Sequence, residues 1–240
     1  MLTNPEHDAE VIAASLRAVG FDSVTLVEDG TREKMIGALR AFAAEAAKAD
    51  WAVVYYSGHG MEAFGFNFLI PVDAKLSDPR DVLNETILLD QVMAAVDGAK
   101  KLKLVLLDAC RTNPFLAAMH RTASLDVGLT AASNTDGATA SRGTATTVVR
   151  SVYRGLGEIK VPAGTLVAYA AKQGQTALDG QGNDSPFAIA LVQRIATPNV
   201  EINKLFRLVR DDVLEATAGR QEPYTYGSLP GHEDFFFVQK

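Results

Sequence analysis

The sequence predicts an α/β domain with a mainly parallel central sheet flanked by helices. Two apolar runs carry this, Trp51-Ala52-Val53-Val54-Tyr55-Tyr56 and Leu102-Lys103-Leu104-Val105-Leu106-Leu107. Each is short, β-branched or aromatic, and cut off sharply by polar or glycine residues. That is the pattern of a strand buried on both faces. A third such run, Gly164 to Ala171, and amphipathic stretches between the runs complete the alternation of strand and helix. No repeat period and no second hydrophobic core is visible. The 240 residues, 48% hydrophobic and 22% charged, suffice for one large domain with a sizeable core.

Taken in order, Asn4 to Val19 reads as an amphipathic helix, with Asn4 as N-cap, Pro5 at the first helical position, acids in the first turn and Gly20 beyond the end. Ser23 to Val27 reads as the first strand. Thr31 opens a second helix, with Lys34 where a capping box would have Glu, running through the alanines of Ala41–Ala49. The Trp51–Tyr56 strand follows, ending in Ser57-Gly58-His59-Gly60. Alternation over Met61 to Ala74 suggests a β-hairpin beside that loop. Leu88 to Ala95 reads as a helix capped near Asp90. After the Leu102–Leu107 strand, Asn113 to Pro162 is rich in Ser, Thr, Ala and Gly and has no sustained periodicity. Long loops within compact domains are usually functional or mobile. Ser185 to Ile195 and Ile202 to Thr217 read as helices, the first capped by Ser185 with Pro186 behind it. Phe235-Phe236-Phe237-Val238 reads as a closing edge strand.

The chemistry gathers at two strand ends. Ligand sites of open α/β sheets lie at the carboxyl ends of strands. His59 stands at one such end and Cys110, the one cysteine, at another. A thiol whose thiolate attacks a carbonyl, with a histidine as base, is a familiar nucleophile pair. An inert buried cysteine is the commonest fate of a lone thiol, but the roughly 50-residue interval from His to Cys is the one found in caspases. Asp108, two residues before Cys110, falls by alternation on the same side of its strand. Its carboxylate suits a guanidinium or ammonium partner.

The words Tyr56-Ser57-Gly58-His59-Gly60 and Leu106-Leu107-Asp108-Ala109-Cys110-Arg111 resemble the His and Cys boxes of the caspase–metacaspase–paracaspase superfamily. Asn4-Pro5-Glu6-His7-Asp8-Ala9, Leu69-Ile70-Pro71-Val72-Asp73, Asp184-Ser185-Pro186-Phe187 and Gly219-Arg220-Gln221-Glu222-Pro223 are similar to further stations of its bacterial branch, the orthocaspases. The resemblance implies a caspase–hemoglobinase fold and a cysteine endopeptidase. It implies a dyad of His59 and Cys110, with the backbone N–H groups of Gly60 and Cys110 as oxyanion hole. The acid at position 108 implies cleavage after Arg or Lys, with Ser57 and Asp90 lining the same pocket. No residue offers itself as a third triad member, and Asp73 reads as structural. Residues 1–240 then form a single catalytic domain: 1–112 large-subunit-like, 113–162 a linker loop, and 163–240 small-subunit-like. The linker carries Arg121, Arg142, Arg150, Arg154 and Lys160, so self-processing there is expected as readily as a solvated loop. A non-catalytic interaction module with the same fold, or another α/β cysteine hydrolase such as an amidotransferase, are the competing readings.

One departure matters. The family begins with a central strand before the first helix, and here the helix starts at once. We expect the remaining strands to close up, or another chain to fill the gap; six strands all supplied by this chain would refute this.

Composition narrows the partners. A net charge of −6 gives no electrostatic reason to expect nucleic acid and suits a cationic peptide or protein substrate. A single cysteine excludes an intrachain disulfide and a multi-cysteine zinc site and points to a reducing, cytoplasmic compartment. No apolar run approaches the ~18 residues of a membrane span. No metal site or cofactor is expected; calcium dependence stays open, without an EF-hand-like loop. A monomer is favoured over a homodimer paired through Phe235–Val238. His7, His120 and His232 read as surface or capping residues, and Asp211-Asp212 as a solvated helix face.

Overall fold

A computed structural model describes residues 4–63, 65–110, 161–172, 175, 177–180 and 182–240, Cys110 by its backbone alone. The expected linker up to residue 160, with its basic residues, and His120 lie outside the described residues. The elements are α1 (Pro5–Ala18), α2 (Arg32–Ala46), β1 (Trp51–Ala63), β2 (Phe66–Leu69), α3 (Val82–Glu85), β3 (Ile87–Leu88), α4 (Leu89–Val96), β4 (Leu102–Cys110), β5 (Thr165–Tyr169), α5 (Pro186–Ile195), α6 (Ile202–Ala216) and β6 (Tyr224–Ser228).

The strands form one sheet in the order β3-β2-β1-β4-β5-β6. β1, β4 and β5 run parallel, while β2, β3 and β6 are antiparallel additions. The parallel strands are mostly apolar through their middles because both their faces are covered. On one face Leu104, Leu106 and Leu166 pack with Ile12 of α1, Leu191 of α5 and Leu205 of α6. On the other, Val105, Leu107 and Val167 pack with Val92 of α4 and Leu39 of α2. Each α/β layer buries a helix stripe against the sheet, which is the packing the strand–helix alternation predicts.

Capping follows the sequence at two helices and departs from it at two. Thr31 accepts from the Lys34 amide (3.3 Å) and Ser185 from the Ala188 amide (2.9 Å). Asp73 supports α2 as well, accepting from the Arg32 amide at 2.9 Å, which gives it the expected structural role. Asn4 precedes α1 but makes no side-chain cap; its amide instead donates to the carbonyls of Asp179 and Gly182. α4 is preceded by Leu88 rather than capped by Asp90, and Gln91 reaches back to accept from the Leu88 amide. Asp212 is not simply solvated: Arg194 of α5 donates to both its oxygens at 2.6 Å, tying α5 to α6.

Two expected strands are absent. Ser23–Val27 forms no ladder, because no described strand lies beside it. Phe235–Val238 is not the sheet edge. Phe235 and Phe237 are buried against Trp51, with ring centroids 5.8 and 5.7 Å away, and the segment makes only a single bridge, Glu201 to Phe236. The apolar run there serves packing instead of pairing, and β6 takes the edge.

The sheet has six strands from this chain, so the expectation of a sheet short of strands is refuted by its own criterion. The set differs from the expected one, however. β2 reaches only Gly60–Ala63 of β1. Among the described residues, Trp51–Gly58 pair with β4 alone. The strands have therefore not closed up over that edge, and a cavity of about 1420 Å³ lies beside it.

Candidate active site

The parallel ladder between β1 and β4 sets the site. Its register pairs Ser57 with Asp108, Gly58 with Ala109 and His59 with Cys110. The two residues are thus neighbours at the carboxyl end of the parallel β1–β4 ladder; β1 itself does not stop at Tyr56 as expected but runs on through His59 to Ala63, where it pairs with β2. The separation of paired Cα atoms in a sheet is about 5 Å.

The backbone at His59 is held by Tyr56. Its phenol donates to the His59 carbonyl at 2.7 Å and lies 3.3 Å from both the carbonyl and the amide of Ile70. The Ile70 amide also donates to the His59 carbonyl at 3.0 Å. Gly58 makes this possible: its φ is +151°, and a Cβ there would stand 2.8 Å from the Tyr56 hydroxyl. His59 itself is half-buried, and desolvation holds its imidazole below the usual range, with nearby Asp179 pulling in the other direction. A lowered value keeps the ring neutral, the form a general base needs. His59 Nδ1 is buried and has no hydrogen-bond partner among the described residues, so no third group orients the ring there.

Beside the pair lies a buried acidic cluster. Asp108 is 6% exposed. Its Oδ2 accepts from the Ser185 hydroxyl at 2.5 Å and from the Tyr55 hydroxyl at 3.1 Å. Asp8, 1% exposed, accepts from the Ser185 amide at 2.7 Å and from the Ser57 hydroxyl at 3.2 Å. Two carboxyls therefore share the N-terminus of α5, where backbone N–H groups favour negative charge. Burial outweighs this. Desolvation pushes Asp108 up to about 7 and Asp8 up to about 6, and each carboxyl also raises the other or is raised by a neighbouring acid. No hydrogen bond to Asp108 Oδ1 is present among the described residues. Both Asp8 oxygens are thus hydrogen-bonded, whereas Asp108 keeps one buried oxygen without such a bond among the described residues.

The structure brings His59, Cys110, Gly60, Ser57 and Asp108 to one end of the sheet. Asp90 is exposed in the first turn of α4 and stands outside the hydrogen-bond cluster around Asp108. Asp8, Tyr55 and Ser185 belong to the cluster and were not assigned to it from the sequence, although Asp8 and Ser185 stand in the family-like words Asn4–Ala9 and Asp184–Phe187 and Tyr55 shares the alternation of Ser57 and His59. His7, one residue before Asp8, meets Asp184 at 2.5 Å, which raises the imidazole above its ordinary value. No group of three or more His, Cys, Asp or Glu residues able to hold a metal ion is present among the described residues. No described helix is long and apolar enough to cross a membrane.

A mixed sheet between two helical layers, with a histidine and a cysteine in register at its carboxyl edge, defines a caspase-like architecture. The chain belongs to the caspase-domain family Peptidase_C14, whose model matches residues 1–232, and at that level it is a cysteine-peptidase domain. It is similar to the mucosa-associated lymphoid tissue lymphoma translocation protein 1 homolog of Mus musculus and to its Homo sapiens counterpart. Each is 33% identical over 136 residues, 53% of this chain. That match spans only 16% of either relative's length. Among solved structures, pro-sf-caspase-1 aligns over 97% of this chain and 82% of its own, with TM-score 0.59 and 19% identity. Caspase-1 from Spodoptera frugiperda aligns over 99% and 83%, with TM-score 0.60 and 17% identity. These two likenesses establish the fold.

Proposed function

We propose that this chain is a cysteine endopeptidase that cleaves peptide bonds after Arg or Lys. The observation that carries the reading is the ladder register of His59 with Cys110, two residues beyond that of Ser57 with Asp108. Cys110 is the nucleophile. His59 takes the thiol proton as the sulfur attacks the carbonyl carbon and returns it to the leaving amine; water then hydrolyses the thioester. The N–H groups of Gly60 and Cys110 receive the oxyanion, an interaction worth about 3 kcal/mol per donor. The P1 cation enters beside Asp108 and Ser57, and Asp8 adds the second carboxyl. Residues 1–112 and 163–240 form one catalytic unit, and the enzyme cuts its own 113–162 linker after one of the basic residues there. Substrates are peptides or proteins in a cytoplasmic setting, and the working form is a monomer.

The test is hydrolysis of fluorogenic peptides differing only at P1: Arg, Lys, Asp and Ala. Cleavage after Arg and Lys is expected. Cys110→Ala should abolish it, by at least about 10³-fold in kcat/KM. Asp108→Ala should weaken it selectively for basic P1. Cleavage after Asp would sink the pocket reading and leave the nucleophile standing. Self-processing is read separately: freshly made protein should accumulate two fragments that Cys110→Ala protein does not. Persistence of intact chain beside full peptide activity would end that part of the proposal.

A second reading, a non-catalytic caspase-fold interaction module, draws on the cavity along β1, since among the described residues the strand that carries His59 is incompletely paired. Absence of cleavage by freshly reduced protein, with and without calcium, would favour it.

A further inference from the structure

The first turn of α1 grips the residues that lead into α5. Asn4 donates to the carbonyls of Asp179 and Gly182, Asp8 accepts from the Ser185 amide at 2.7 Å, and His7 Nδ1 lies 2.5 Å from Asp184 Oδ1. Asn4, Asp8 and Ser185 are buried, whereas His7 and Asp184 reach solvent. An exposed ion pair contributes little to global stability, because water screens it. This pair acts locally instead.

Asp184 directly precedes Ser185, and Ser185 stands between the two buried carboxyls. Its amide donates to Asp8, and its hydroxyl donates to Asp108 at 2.5 Å. The same hydroxyl oxygen accepts from the Ala188 amide as the N-cap of α5. One short side chain thus satisfies a helix end and a buried acid together. Hydrogen bonds weaken steeply as their angles open, so a small turn of the backbone at Asp184 would break one of these bonds to keep the other. Such inner groups depend on outer contacts that lock them. Here α1 holds Ser185 twice: by its amide through Asp8, and by the side chain before it through His7.

The surroundings of His7 favour that contact. The charged groups facing its ring are Asp184 on the α5 side and Glu10 and Asp8 of its own helix, all acids. They hold the imidazole above its ordinary value, the Asp184 bond foremost. Asp8, raised chiefly by its burial, is raised further by the charge of Asp184. A protonated His7 offsets that charge.

We propose that His7 is a positioning residue for the cation pocket: by holding Asp184 against α1 it fixes Ser185, and through Ser185 the orientation of Asp108. The inference rests on the reading of Asp108 as the P1 acceptor. His7 touches none of the reacting atoms, so its loss should impair capture of a basic P1 residue and leave the chemical step alone.

The test compares His7→Ala with His7→Asn, whose amide nitrogen can take the place of Nδ1. In Cys110→Ala protein, where cleavage cannot intrude, hydrogen exchange at the Ser185 amide should quicken about tenfold with His7→Ala and return with His7→Asn, while the α6 amides stay unchanged. In the active protein, His7→Ala should raise KM for an Arg peptide about threefold or more with kcat unchanged, and leave kcat/KM for the Ala peptide as it was. His7→Asn should restore KM. Ser185 exchange unmoved by His7→Ala would overturn the proposal. So would an equal loss on the Arg and Ala peptides, or a fall in kcat with KM intact, either of which would make His7 a general prop of the site. His7→Asn behaving no better than His7→Ala would overturn it as well. If the Ser185 response appears in a protein that cleaves no basic peptide, the hold on Ser185 stands and the reading of Asp108 as P1 acceptor fails.

Discussion

Asp8 and Asp108 give the proposed reaction a particular pH signature. Their carboxyls sit at about 6 and about 7 because burial penalises the charged forms. Below those values they are neutral and offer a P1 cation no opposite charge. His59 is shifted the other way, so it remains a neutral base at lower pH than an ordinary histidine. For an Arg substrate kcat/KM should therefore fall steeply as pH drops from about 7 to about 6. For an Ala substrate it should hardly change over that interval. Asp108→Asn should remove most of the difference between the two profiles. Parallel falls for both substrates would place the titration on His59 and take the cation pocket away from these carboxyls. His59, Cys110 and Asp108 were legible in the sequence because each ends a run whose alternation and spacing are local. Asp8 and Ser185 were not, because α1 and α5 bring them to Asp108 from distant parts of the chain. A bond such as Ser185 Oγ to Asp108 Oδ2 leaves no trace in local pattern.

At the scale of elements, β-propensity alone misplaced two strands. Ser23–Val27 has suitable composition but no neighbour to pair with among the described residues, and strand preference is mostly a preference for a partner surface. Phe235–Val238 has the aromatic, apolar composition of a strand, yet its rings fill space around Trp51 and Phe21. The true edge strand, β6, was overlooked because Tyr224-Thr225-Tyr226-Gly227-Ser228 has little apolar character and is largely exposed. What fixes β6 is its close contact with β5. Gly227 has φ +113°, and a Cβ there would lie 2.2 Å from the Thr165 carbonyl oxygen. Gly227→Ala should therefore cost about 2 kcal/mol or more, through positive φ and backbone collision together. Chemical denaturation would measure the loss, and exchange at the β6 amides should quicken most. Unchanged stability would mean that β6 pairs with β5 less tightly than this contact requires.

Across the whole molecule, the helical layers were predictable because their apolar stripes repeat at helical spacing, and the parallel core because its strands carry no polar face. The relation between the parts was less so. The edge of β1 left open among the described residues, and the tail folded back onto Trp51, are properties of how elements meet. The tail makes a whole-molecule prediction. Phe235 and Phe237 are buried with Trp51, Phe21 and the Leu102 end of β4, so the last residues close the core. Removing residues 233–240 should cost several kcal/mol, on the scale of about 3–5 for each large aromatic lost, and a thermal melt should show it. A melt unchanged by the truncation would mean that the rings cover the core without stabilising it.

The ladder that pairs β1 with β4 joins residues roughly 50 positions apart, and that between β4 and β5 spans more. Neither can form until a long loop has been closed, and such topologies fold slowly because the entropy of closure is lost before the contacts form. His59 and Cys110 meet only in that ladder. A nascent or refolding chain therefore holds both residues yet keeps them apart until its slowest collapse is complete, so the order of folding itself delays the appearance of a reactive pair.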